Sequence, residues 1–253
     1  MMPHSELRGT LLAACGFVNL STVTPKELLQ SALNEQFADS TGQAIRIALL
    51  GSGMGLNEEH FRSTFTRPIP VEVRELLAFA SGFSIGSTEV QFTEHHMQGF
   101  DAFFPDWMEL CGDGCGNFWV AEIQDETNEW NPVWFVCHDP PVVLRVADNL
   151  SDFLEQVLDC HRVQPRRSVN WFAQSHDRAM EIWNGRGLKP IEAADACRSS
   201  DGKIAELGRR LPRNGAVIDV RKCAGGDGFS WEAFDMYADS QRAGALIWGF
   251  ASR

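Results

Sequence analysis

The sequence predicts an α+β fold, a mixed and mainly antiparallel sheet packed against helices, and three observations carry that prediction. Pro- or Asn-led segments with apolar residues at helical spacing stand at the front of the chain and again near residue 150. Between them lie aromatic and β-branched runs separated by turn-forming residues. Helices followed by strands and then a helix, without strict alternation, argue for α+β rather than for a parallel βαβ array.

In chain order, Thr24 as cap, Pro25 at the first helical position and Glu27 open a helix with Leu28, Leu29, Ala32, Leu33 and Phe37 at helical spacing. Residues 39–42 end it. The apolar run 44–50 is strand or helix, which periodicity does not separate. The glycine-rich stretch 51–55 lacks the Gly-Lys-Ser/Thr ending of a phosphate loop and reads as a linker. Asn57 with Glu58 and Glu59 starts another helix, with Phe61 and Phe65 on one face. A further helix follows Pro68 and Pro70, with Val73, Leu76, Leu77 and Ala80 as its buried stripe and Ser81 and Gly82 as its end. Strands are expected at 88–93, 116–123, 133–137 and 142–146, then a helix in which Phe153, Leu154, Val157 and Leu158 face inward.

Charge supplies the next division. Residues 1–160 carry 7 Lys and Arg against 23 Asp and Glu, whereas residues 161–253 carry 15 against 11. Between Glu89 and Asp159 there are 15 acids, and Arg145 is the one basic residue. Such a surface repels phosphate backbones and anionic membranes and attracts basic proteins, although a plain solvated face has the same composition. The segment 161–168 marks the reversal. The reading is therefore of a helical extension over 1–55, a central domain over 56–160 and an α+β extension or small domain over 161–253. In the last part, helices are expected at 169–183 and 203–211, with a hairpin-like pair at 216–223 and 245–250. The turn after its first strand falls at Gly225, Gly226, Asp227 and Gly228.

No stretch approaches the roughly 20 apolar residues of a membrane span and no secretory leader pattern opens the chain, so a cytoplasmic protein is expected. Seven cysteines, an odd and scattered set, point to reduced thiols rather than a disulfide framework. Cys111, Cys115, Cys137 and His138 have metal-ligand types, but the spacing is not that of paired zinc knuckles, and no metal or cofactor is expected. His138 and Asp139 with Cys111 or Cys115 define a hydrolase alternative. The plainer reading makes Asp139 and the two following prolines a strand-ending turn. Gly112-Asp113-Gly114 reads as a tight turn rather than a calcium loop. The basic residues Arg162, Arg166, Arg167, Arg209, Arg210, Arg213, Arg221 and Lys222 read as solvated surface or as partners of the acidic centre, not as a nucleic-acid site.

One combination of features goes further. The Pro-led helix ending in Gly82, the Gly-Asp-Gly turn entering the aromatic strand at 116–120, the strand ending at His138 and Asp139, and the closing helix around Phe153 together resemble the SMI1/KNR4 family of the SUKH superfamily over residues 56–158. The resemblance implies an α+β domain without a catalytic constellation. It also implies a role as an immunity protein that neutralises a toxin domain of nuclease or deaminase type. Relatives acting as general interaction adaptors or regulators of cell-wall synthesis supply the other reading. A basic partner protein would be met by Asp101, Asp106, Glu109, Asp113, Asp125, Glu126 and Glu129, with Trp107 and Trp130 as aromatic anchors.

Overall fold

The computed structural model describes residues 23–51, 69–92, 104, 107–123, 130–234, 240–244 and 246–251. It is α+β, as the sequence predicts. Helix α1 (Pro25–Ala32) opens with a capping box: the Glu27 amide donates to Thr24 Oγ1 and the Thr24 amide donates to the Glu27 carboxylate. The expected run to Phe37 is cut short, because Phe37 belongs to a small hairpin of β1 (Phe37–Ala38) and β2 (Ala44–Ile45). Residues 44–50 resolve as strand, β2 and then β3 (Ile47–Leu50). The helix expected from Asn57 and all but Gly51 of the expected linker lie outside the described residues.

Helix α2 (Val71–Phe79) buries Val73, Leu76 and Leu77, as its periodicity predicts. Gly82 does more than follow that helix, since it begins β4 (Gly82–Ile85), a strand absent from the sequence reading. It pairs with β3 on one side and β5 (Thr88–Gln91) on the other.

The dominant element is a five-stranded sheet made of β6 (Trp107–Gly112), β7 (Phe118–Ile123), β8 (Trp130–His138), β9 (Pro141–Ala147) and β12 (Gly228–Ser230), in the order β12-β9-β8-β7-β6. Every described pairing in the molecule is antiparallel, so the parallel component of the expected mixed sheet is not found among the described residues. Strand β6 was not anticipated. Gly225–Gly228 does not close a local hairpin, either: the chain passes through it into β12, which joins the central sheet beside β9. A Cβ on Gly228 would sit 2.2 Å from the Val143 carbonyl oxygen, so the close approach of these two backbones requires glycine.

One face of this sheet, with Trp119, Ala121, Val133, Phe135, Leu144 and Val146, packs on α1, α2, the β3-β4-β5 sheet and α3 (Leu150–Asp159). Helix α4 (Ser175–Glu181) joins that layer; it is shorter than the expected 169–183 and passes into a π turn over Ile182–Arg186. The opposite face, with Phe118, Val120, Trp134, Val136 and Val143, is covered by a second sheet. That sheet consists of β10 (Ile191–Glu192), β11 (Gly215–Asp219), β13 (Gln241–Arg242) and β14 (Ile247–Ala251), in the order β10-β11-β14-β13. The pairing of β11 with β14 matches the expected hairpin-like pair. Helices α5 (Ala193–Ala196) and α6 (Gly202–Arg210) close its outer face through Ala196, Ile204, Leu207, Val217 and Ile247. The layers therefore run helix, sheet, sheet, helix.

Between the two sheets lies an aromatic cluster. The Trp134 and Trp248 centroids are 5.2 Å apart, Phe229 and Trp248 5.2 Å, and Phe104 and Trp248 5.9 Å. Such contacts supply most of what holds two sheets together, through apolar burial and ring geometry. Truncation after residue 160 removes β12 and the covering sheet and strips one whole face of the centre. We expect this truncated chain to bind a hydrophobic dye such as ANS and to aggregate, where the full chain does neither.

The charge-reversal segment is fastened as well. Arg162, with a side chain 4% exposed, donates to Glu35 at 2.7 Å, to both oxygens of Glu155 at 2.9 and 3.0 Å, and to Asp159 at 3.0 Å. Asp159 also accepts the Arg166 and Arg167 amides. Removing one member of a buried ionic cluster strands the others. Arg162→Ala is thus expected to cost about 3 kcal/mol or more in urea unfolding.

Candidate partner-binding surface

The strand register decides which of the sequence-predicted site residues share a location. Trp107 is paired with Glu122, and Ile123 with Trp130, so the start of β6, the end of β7 and the start of β8 lie side by side at one end of the central sheet. The chain segments that carry Asp101 and Asp106, and Asp125, Glu126 and Glu129, continue from these strand ends; the five acids themselves lie outside the described residues. Glu109 stands two residues into β6, beside the irregularity between Glu109 and Cys111.

The two tryptophans are interior residues in this chain. Trp107 is 1% exposed between the two sheets and Trp130 is 5% exposed on the helix-covered side. Neither ring is presented to a partner; both anchor the sheet end instead.

A buried charge marks the same end. Glu122 is 1% exposed; one carboxylate oxygen accepts the Trp134 indole N–H at 3.0 Å and the other accepts from Arg242 on β13. Burial pushes this carboxyl above its ordinary range, against the pull of Arg242 and of the indole donor. The Arg242 guanidinium also lies over Trp248, 4.9 Å from the ring centroid. Alternation had given no sign that Glu122 is a core carboxylate, since its partner comes from 120 residues further along the chain.

Asp113 lies at the opposite end of the β6–β7 hairpin, separated from Trp107 by roughly 20 Å for six residues of strand. It organises the turn the sequence predicts. One oxygen accepts the amides of Cys115 at 2.7 Å and Asn117 at 3.1 Å. The other accepts from the Asn117 side-chain amide at 2.6 Å and from His176 Nε2, on α4, at 2.9 Å. Gly116, at φ +90°, takes the left-handed conformation the turn demands, under the His138 ring. Asn117 Oδ1 in turn contacts His138 Nδ1 at 3.0 Å and accepts the His138 amide. His176 rests against Phe135, with centroids 5.0 Å apart. The arrangement is a brace between turn, strand and helix.

This geometry bears on the chemical alternatives. Among the described residues no three His, Cys, Asp or Glu side chains converge as metal ligands. Cys111 and Cys137 are buried, and burial pushes both thiols up, Cys137 to about 11, the reverse of an activated nucleophile. His138 is engaged with Asn117.

The basic residues of the C-terminal part are largely committed. Arg162, Arg166 and Arg167 meet Glu35, Asp152, Glu155 and Asp159, Arg210 meets Glu206, and Arg221 meets Asp201 and Asp219. Three of those arginines, with Arg242 on Glu122 and Arg145 on Asp148 at 2.9 Å, therefore offset five of the central acids.

The Asp113 carboxyl is held down at about 2, with burial opposed by its hydrogen bonds to Asn117 and His176 and to the backbone amides. Its folded value lies below the unfolded one, so its stabilisation is complete above about pH 4 and lost as pH falls toward 2. Asp113→Ala is expected to cost about 2 kcal/mol at neutral pH and to flatten that part of the acid-unfolding curve, as followed by circular dichroism.

No curated protein and no solved structure is significantly similar to the chain. A family model does match, over the stretch that runs from before α2 into α3 and includes the turn at Asp113 and the sheet end at Trp107 and Trp130. Residues 59–156 match the SMI1 / KNR4 family (SUKH-1), the same central segment over which the sequence resembles that family.

Proposed function

We propose that this chain is a cytoplasmic protein-binding module of the SUKH type that neutralises a basic toxin domain, of nuclease or deaminase kind, by occluding it with an acidic surface. The observation that carries the reading is the 15-to-1 excess of acid over base between Glu89 and Asp159. Glu122, Asp148, Asp152, Glu155 and Asp159 are matched by arginines. Asp101, Asp106, Asp125, Glu126 and Glu129 belong to segments that continue from neighbouring strand ends, with Glu109 close by on β6. Asp113 is assigned a bracing role rather than a binding one, because its oxygens are engaged by Asn117, His176 and two amides.

The physical logic is electrostatic. An enzyme that acts on nucleic acid must carry a cationic groove for phosphates. A stoichiometric inhibitor with carboxylates on one face gains association rate, and that gain weakens with salt. No described helix is long and apolar enough to cross a membrane. The family match supports a binding domain over the hydrolase built on His138 and Asp139. Burial of the Cys111 and Cys137 thiols supports the same choice.

The test is to co-express the chain with nuclease and deaminase toxin domains, including any encoded beside it, and to measure association by stopped flow at low and high salt. The set Asp101→Asn, Asp106→Asn, Asp125→Asn, Glu126→Gln and Glu129→Gln is expected to slow association about tenfold or more at low ionic strength. Its unfolding midpoint should be unchanged, and Asp113→Asn should leave association as it was. An association rate indifferent to salt and to these substitutions would overturn the acidic-surface reading.

A further inference from the structure

The first turns of α1, α2 and α3 meet around a cleft of about 640 Å³. Its walls are mainly apolar, including Leu28, Val73, Trp130 and Leu150, and two wall residues stand unusually open for valine: Val23 is 54% and Val71 70% exposed. Charged groups on the walls are matched among themselves, Asp152 with Arg167 and Glu155 with Arg166, which leaves Glu72 on the exposed rim. A cleft with apolar walls and internally matched charge favours an uncharged apolar occupant.

The described chain reaches the cleft mouth at Val23. Ser151 Oγ donates to the Val23 carbonyl at 2.9 Å, tying the entry of α1 to the first turn of α3. Residues 11–20, separated from Val23 only by Ser21 and Thr22, contain no charged residue and include Leu11, Leu12, Phe17, Val18 and Leu20. A tether this short holds the segment at an effective concentration in the millimolar range or above, which a separate molecule must exceed to compete.

We propose that the cleft is the docking site of this chain's own residues 11–20, which seal its apolar walls. The proposal does not rest on the partner reading, and its test needs no partner. Trp130, on the cleft wall, directly follows the connection that carries Asp125, Glu126 and Glu129, so the seal lies next to the surface assigned to binding.

Cys15, inside the segment, is a native reporter, and exposed Cys115 is an internal standard in the same molecule. Alkylation of the full-length chain by N-ethylmaleimide, resolved by peptide mass spectrometry, is expected to label Cys15 about tenfold or more slowly than Cys115. Val71→Asp places a charge on the cleft wall while suiting the first turn of α2, where an acid is favourable. Phe17→Asp alters the segment and leaves the described elements untouched. Each variant should raise labelling of Cys15 to the Cys115 rate. Equal labelling in the unmodified chain, or protection that persists in both variants, overturns the proposal. So does protection that disappears on about hundredfold dilution, which would assign the occupant to a second copy.

Discussion

The central sheet is apolar on both faces, and the rest of the structure follows from covering it twice. Along β8, Val133, Phe135 and Cys137 point to the helical layer while Trp134 and Val136 point the other way. Leaving either set in water would forfeit the burial that outweighs the entropy of ordering the chain. The helices α1 to α4 with the β3-β4-β5 sheet satisfy one side. The other side requires the β10-β11-β14-β13 sheet, which itself needs α5 and α6 behind it. The C-terminal segment thus completes the centre, and β12 continues the central sheet from within it.

Electrostatics reinforces the same arrangement. The reversal in charge near residue 160 resembles a boundary when read along the chain, but in three dimensions it is a seam. Arg162 binds acids from α3 and from the end of α1, Arg242 reaches the buried Glu122, and the Arg145 guanidinium donates to the Cys223 carbonyl at 2.8 Å. Low-dielectric surroundings strengthen such pairs and make an unmatched member costly, so the acidic centre and the basic tail depend on one another.

The family match and the geometry bear on different questions. The match over residues 59–156 says what the centre is similar to, while strand register places the ends of β6, β7 and β8 together and puts Asp113 at the far end of its hairpin. The four-residue network of Asp113, Asn117, His138 and His176 is a brace that stiffens the sheet between its turn and α4.

By itself the sequence determined the α+β class, the start of α1, the helices α2, α3 and α6, the strands β5, β7, β8 and β9, the pair β11 and β14, the Asp113 turn and the family resemblance, because each is written in local periodicity, capping or turn chemistry. Tertiary structure alone decided the rest. Phe37 leaves the helical register to pair with Ile45, and Gly82 opens a strand beneath a hairpin. Trp107 and Trp130 turn inward, and Gly228 carries the chain into a sheet more than 80 residues away in sequence. The physical reason is common to all of them. Whether an apolar or charged side chain is core or surface depends on what packs against it, and here those partners come from distant parts of the chain.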